Sequence, residues 1–521
     1  MSIPTLKGRG RLATLYVHDA PFVCLGGEIH NSSASSLDYM ERKVWPALRP
    51  MHLNCVLAPV SWELTEPEPD KFDFTLVDGL IAQCRREGVK LIPLWFGLWK
   101  STFASYAPGW VKRDWRRYPR VHTAAGAPLD TFSPLGEASI AADATAFAAL
   151  MAHIRQVDER ENTVVMVQVE NECGMFGAAR EYGQAADAAF AAAVPPALAA
   201  RYGVSGPWAE AFGPDAEEFF SAWCFARAVE TVARAGQAAY DLPMFHNAWL
   251  ETPPFGPGRN YPSGGCVAKC LTVWQTGAPS LCCFGPNAYG DVRPISDAYA
   301  ACDNPIFIPE TGGGPGAAAG ALYAVGRHNA LGFAPFGAER IWGVPMGLMD
   351  DPFAPAGAPV DRASPQRLAA AYDLIASLHP LIHRAHQDGR IYAFKESGDR
   401  GAVIETGKYR ILVAYSDAPT AFTPGGGMPF PPPKQPGAPE GGGLIIQEDE
   451  DTFLAAGLGY RLEFLPLPGS AGAVTYEFIE EGVYQDGAWR PGRRINGDEA
   501  RQGLKLGDMP EVRRVRVYTY Q

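Results

Sequence analysis

Two short apolar runs in this chain end in carboxylates. Residues 164–169 (VVMVQV) lead straight into Glu170, Asn171 and Glu172, and residues 306–309 (IFIP) lead into Glu310. Runs rich in β-branched residues, without polar alternation, read as strands buried on both faces. In α/β folds the carboxyl ends of such strands are where reactive groups gather. Two carboxyl groups facing each other over one atom can divide the work of breaking a bond. One protonates a leaving oxygen, while the other attacks the carbon or activates water. Cleavage of a glycosidic bond needs that division. Here Glu172 is read as the acid/base and Glu310 as the nucleophile, kept ionised by hydrogen-bond donors such as Tyr289. Either run alone has a plainer reading, a strand ending in a solvated acidic turn. Glu170 is read as a supporting carboxylate.

The elements needed to position this pair are legible. Strand-like runs occupy residues 22–30, 54–59, 90–95, 164–169, 243–247, 281–287, 306–309 and 331–336. Helical patterns lie between them, at 37–48, 76–86, 138–154, 217–239, 317–329 and 366–378, with a further helical insertion over 178–200. Eight strands alternating with helices predict a closed (β/α)8 TIM barrel over residues 1–380. Beyond that the texture changes to strand-length runs separated by turn residues. Residues 381–521 are therefore expected to form an all-β, sandwich-like domain, with a proline- and glycine-rich loop at 423–443 that should be poorly ordered.

Converging strand ends would bring Glu28, His30, Trp62, Glu63, Trp95, Trp99, Asn171, Glu172, Asn247, Trp249, Asn287, Tyr289, Glu310, Phe336 and Trp342 to one mouth. Carboxylates, amides and flat aromatics suit a neutral polyhydroxylated ligand, whose C–H faces stack on indole and whose hydroxyls bond to acids and amides. Asn171, Tyr289, Glu63, Trp95, Trp99, His30, Asn287 and Trp342 are the expected substrate contacts.

The bulk numbers narrow the class. The 521 residues are 47% hydrophobic and 20% charged with a net charge of −12, which fits a globular chain and disfavours nucleic acid and anionic membrane surfaces as partners. No apolar run is long enough to span a bilayer. The opening MSIPTLKGRGRLATLY has no apolar leader region. A cytoplasmic location is expected for the chain as written, or a periplasmic or secreted one if a leader has been removed. The ten cysteines all precede residue 303 and look like reduced core residues, with room for one disulfide between 266 and 302. Neither Cys266-x3-Cys270 nor Cys282-Cys283 has a histidine at zinc-finger spacing. His379, His383 and His386 have metal-like spacing, but Pro380 is expected to interrupt their helix. No metal and no cofactor are expected.

Specific wording then points to a family. QVENECG around Glu172 resembles the acid/base motif of the family 35 β-galactosidases, glycoside hydrolases of clan A. Gly26-Gly27-Glu28-Ile29-His30, Trp62-Glu63-Leu64-Thr65-Glu66-Pro67-Glu68-Pro69 and Phe72-Asp73-Phe74 resemble that family in order and spacing. The likeness covers roughly residues 20–340, and family 42 β-galactosidases are similar in architecture. The segment departs from family 35 at Cys173, where tyrosine is usual. The resemblance implies a retaining, exo-acting β-galactosidase working on a β-galactoside or galactosylated oligosaccharide, with Asn171 on the sugar 2-hydroxyl. Other readings are a clan A β-glycosidase trimming plant polysaccharide side chains, or a carbohydrate-binding barrel without catalysis. A homo-oligomer is compatible with the sequence.

Overall fold

The computed structural model describes residues 2–252, 254, 256–341, 363–399, 401–415, 438–485, 487–501 and 504–521. Eight parallel strands close into a barrel in sequence order. They are β1 (Cys24–Glu28), β2 (Cys55–Ser61), β3 (Lys90–Lys100), β4 (Val167–Asn171), β5 (Met244–Ala248), β6 (Cys283–Ala288), β7 (Phe307–Thr311) and β8 (Gly332–Pro335). Each falls on one of the eight runs read from sequence, so the (β/α)8 expectation holds.

Side chains alternate across these strands. Val56, Trp95, Val167, Val169 and Ile308 face the surrounding helices in the main core. Cys24, Cys55, Leu57, Ile92, Leu94, Phe96, Phe245, Cys283 and Phe307 form a separate inner cluster, joined by Leu15 and Val17 of an N-terminal antiparallel sheet. That sheet stoppers one end of the barrel. The other end is left for chemistry.

Three local features differ from the sequence expectation. Strand β3 runs on to Lys100 rather than stopping at Trp95, because its pairing with β4 skips register between Trp95 and Lys100. A bulge of this kind re-aims the residues beyond it. The insertion after β4 is three short helices, Gln184–Ala191, Pro196–Tyr202 and Trp208–Phe212, punctuated by prolines and glycines rather than continuous to residue 200. The helix carrying His379, His383 and His386 runs unbroken over Ala363–Asp388 with Pro380 inside it.

All ten cysteines are free thiols, so the disulfide allowed for between 266 and 302 is absent. Among the described residues no group of His, Cys, Asp or Glu is arranged to hold a metal ion. No described helix is long and apolar enough to cross a membrane.

Beyond Asp388 the regular elements among the described residues are antiparallel strands and one short helical turn. A six-stranded and a four-stranded sheet share a core of Phe394, Tyr409, Ile411, Ile445, Phe453, Leu462, Phe464 and Val515. Period-two alternation gives the larger sheet a second apolar face: Leu444, Ile446, Leu454 and Ala456 join the main core of the barrel. Contact there is close. A Cβ on Gly442 would lie 2.7 Å from Ala319, and one on Gly326 would lie 2.9 Å from Ala393 and Leu444. Most of the proline-rich loop expected at 423–443 lies outside the described residues.

Candidate active site

Parallel pairing sets Asn287 at the end of β6 directly opposite Glu310 at the end of β7. From there the Asn287 amide reaches both expected catalytic carboxyls. Its Nδ2 donates to Glu172 Oε1 at 2.7 Å and to Glu310 Oε2 at 2.9 Å. Asn247 at the end of β5 donates to Asn287 Oδ1 at 3.2 Å and accepts from the Glu172 backbone N–H at 2.9 Å. Main chain, two amides and two carboxyls are thus joined in one run.

Glu172 also accepts from Ser101 Oγ at 2.8 Å, with Lys100 Nζ 3.8 Å from the same Oε2. Lys100 in turn donates to Ser101 Oγ at 2.8 Å. The Tyr289 hydroxyl donates to Glu310 Oε1. Burial and the Glu310 charge push the Tyr289 phenol upward, so it keeps its proton and remains a donor. Burial, then the neighbouring Glu172, push the Glu310 carboxyl up to about 7, against the pull of Lys100 and Tyr289. The expectation that Tyr289 would keep Glu310 ionised is therefore only partly met: desolvation outweighs the hydrogen bond.

Backbone strain marks the same place. Glu170, Glu172, Ser101 and Thr102 all have positive φ, which side-chain-bearing residues rarely adopt. The reversal at Glu170 turns its carboxylate sideways into the β3 bulge, where it accepts from the backbone N–H groups of Leu98 at 3.1 Å and Trp99 at 2.8 Å. Asp143 shares this buried space. Burial raises both carboxyls, and they are hydrogen-bonded to each other. Glu170 is thus a support, as read from sequence.

Cys173, the departure from the family motif, is a buried core thiol whose backbone N–H reaches His246 Nε2 at 3.4 Å. Burial lowers His246 to about 4. The ring is therefore neutral at pH 7, with Nδ1–H donated to the Val169 carbonyl at 2.8 Å.

Other expected contacts fall unevenly. Asn171 is fully buried beside Glu172, its Oδ1 accepting from Ser101 N at 3.4 Å and its Nδ2 without a partner among the described residues. His30 sits by β8, edge-on to Phe336 and 3.2 Å from Glu339. Glu63 pairs with Lys112 at 3.0 Å and lines a neighbouring groove with Asn31, Ser61 and Tyr106.

Trp95 and Trp99 are corrections. Both are wholly buried: Trp95 packs on Phe147 and donates to Asp143, while Trp99 packs edge-on to Phe225 and donates to the Phe132 carbonyl. They are core residues on the helix side of β3, not sugar platforms. Trp342 lies outside the described residues. Sequence reasoning missed Lys100 and Ser101, because the apolar run ending in them conceals the bulge that turns them inward.

Residues 41–214 match the model of glycoside hydrolase family 42, described as beta-galactosidase, and residues 368–507 match a domain of unknown function, DUF5597. The first match includes Glu172 and ends before Glu310. It supports a glycosidase with a carbohydrate substrate. No curated protein sequence matches the chain.

Among solved structures, the catalytic domain of a beta-amylase from Paenibacillus polymyxa aligns at 11% identity over 62% of this chain and 94% of that one, with a TM-score of 0.46. A beta-galactosidase from Bacillus circulans sp. alkalophilus aligns at 14% identity over 60% of this chain and 50% of that one (TM-score 0.43). Another, from Rahnella sp. R3, aligns at 14% over 69% and 57% (TM-score 0.45). The chain spans about half the length of these two β-galactosidases.

Proposed function

We propose that this chain is a retaining, exo-acting β-glycosidase that removes terminal β-D-galactosyl residues. The observation that carries the reading is the Asn287 bridge. One nitrogen donates to a Glu172 oxygen at 2.7 Å and to a Glu310 oxygen at 2.9 Å, so a single amide spans the gap between the two carboxyls and favours the closer of the two known spacings. Retaining enzymes hold their carboxyls about 5–5.5 Å apart, whereas inverting ones leave about 6.5–9.5 Å for a water. Glu172 and Glu310 lie deep, at 6% and 7% exposure, which suits the end of a substrate chain.

In this mechanism Glu310 attacks the anomeric carbon while Glu172 protonates the departing oxygen, giving a covalent glycosyl-enzyme. Glu172 then takes a proton from the water that releases the sugar. Tyr289 and Asn287 fix the two Glu310 oxygens, and the unpaired Asn171 Nδ2 suits the sugar 2-hydroxyl. Turnover of an aryl β-galactoside is expected to fall by about 10³-fold or more in both Glu310→Ala and Glu172→Gln, with circular dichroism unchanged. Added azide should restore part of the Glu310→Ala activity as an α-glycosyl azide. Wild-type-like turnover in either variant would defeat the assignment.

A further inference from the structure

Glu28 ends β1 with the side-chain parity of Cys24, a member of the inner barrel cluster. The same parity at Gly26 points inward, since a Cβ there would lie 3.1 Å from Leu57 of that cluster. The Glu28 side chain therefore enters the barrel interior. It is 0% exposed, and neither carboxyl oxygen has a hydrogen-bond partner among the described residues. Buried carboxyl oxygens without partners are costly and call for an explanation. Glu28 interacts electrostatically with Glu310, Lys100 and Glu172, and also with Tyr289, so it belongs to the same charged cluster.

Barrel order supplies a direction. Glu172 on β4 and Glu310 on β7 flank β5 and β6, so an anomeric carbon held between them lies on that side of the mouth. Strand β1 stands on the other side. A pyranose whose C1 sits between the pair and whose ring crosses the mouth brings C3 and C4 toward it.

We propose that Glu28 binds the hydroxyls at C3 and C4 of the terminal sugar and is the specificity determinant across the ring from the cleaved bond; this rests on the glycosidase reading above. Two oxygens of one carboxyl match two adjacent hydroxyls. Burial and then Glu310 hold the Glu28 carboxyl well above the usual carboxylate range. That shift favours the protonated form, which can both donate and accept. It also adds no further negative charge beside a catalytic pair that has one ammonium, Lys100, at 3.8 Å.

The test uses the full chain, with Glu28→Gln and Glu28→Ala assayed on p-nitrophenyl β-galactoside and on its 3-deoxy and 4-deoxy analogues. On the parent substrate kcat/KM should fall about 100-fold or more in Glu28→Ala and about tenfold in Glu28→Gln. On the analogues, already poor for the wild type, each variant should lose less than about threefold further. Equal losses on parent and analogues, or no loss on the parent, overturn the proposal. Should Glu28→Ala not fold, the same comparison in Glu28→Gln decides it. A wild type that turns over no member of an aryl glycoside panel fails the glycosidase reading itself and takes this proposal with it. That outcome is visible in the wild-type control before any variant is read.

Discussion

At the residue scale Glu310 is short of solvent rather than short of partners. Glu310 accepts from Asn287 and Tyr289, yet its carboxyl stands near 7 instead of an ordinary 4.5, because burial and Glu172 disfavour the charge. A raised carboxyl makes the folded state bind more protons than the unfolded one between those values. Its contribution to stability is therefore fully present below about 4.5 and is lost as pH rises through about 7. By pH 8 the loss from this group is about 3 kcal/mol. Glu310→Gln, neutral at every pH, should melt several degrees above wild type at pH 8 and close to it at pH 4.5, measured by scanning calorimetry. A gap that is absent or unchanging with pH would remove the electrostatic account. The paired carboxyls and the amides that join them were legible in sequence because strand ends carry them. Trp95 and Trp99 misled because an indole in a buried strand looks the same whether it faces a ligand or a helix. Only the position of the bulge separates the two.

At the element scale the bulge in β3 is the device that builds the site. Ordinary pairing would end the strand earlier. The skipped register instead carries it to Lys100, opposite Asn171, and brings Lys100 and Ser101 to Glu172. Glu170 secures the bulge from β4, and the bulge has room for it only because residue 97 is glycine. A Cβ there would lie 2.4 Å from Glu170 Oε1, 2.6 Å from Trp95 Nε1 and 2.7 Å from Asp143 Oδ1. Gly97→Ala should cost about 1–3 kcal/mol in urea unfolding and lower kcat more than KM, as Lys100 and Ser101 shift. A stable variant with unaltered kcat would show that the bulge does not position them. The eight strands were readable as elements, since apolar runs bounded by turns survive any local irregularity. The bulge was not, because it depends on pairing between residues about seventy positions apart.

At the scale of the whole molecule, the C-terminal sheets hold part of the active site from outside the barrel. Lys395, 2% exposed, bonds to Asp291 at 3.0 Å and Glu440 at 2.6 Å, and Ser397 bonds to Asp291 as well. Arg293 returns the contact, reaching the Lys395 carbonyl at 2.8 Å and Asp399 at 2.6 Å. Partial burial would raise Asp291, but Ser397 and Lys395 hold it below its usual range. Asp291 lies two residues beyond Tyr289, the donor to Glu310. Lys395→Met should therefore cost about 1–3 kcal/mol, discounted for the partly exposed acids, and lower kcat about tenfold. Melting curves and turnover measured together check it, and loss of stability without loss of kcat would confine Lys395 to packing. The same link also bears on the order of synthesis. Domains fold as units from the N-terminus as a chain emerges. All eight barrel strands are made before residue 391, where the sheets that pin the Tyr289 loop begin. The barrel can therefore close around both carboxyls while Glu310 still lacks its anchored phenol. The site becomes complete only once the sheets beginning at residue 391 have been made and folded.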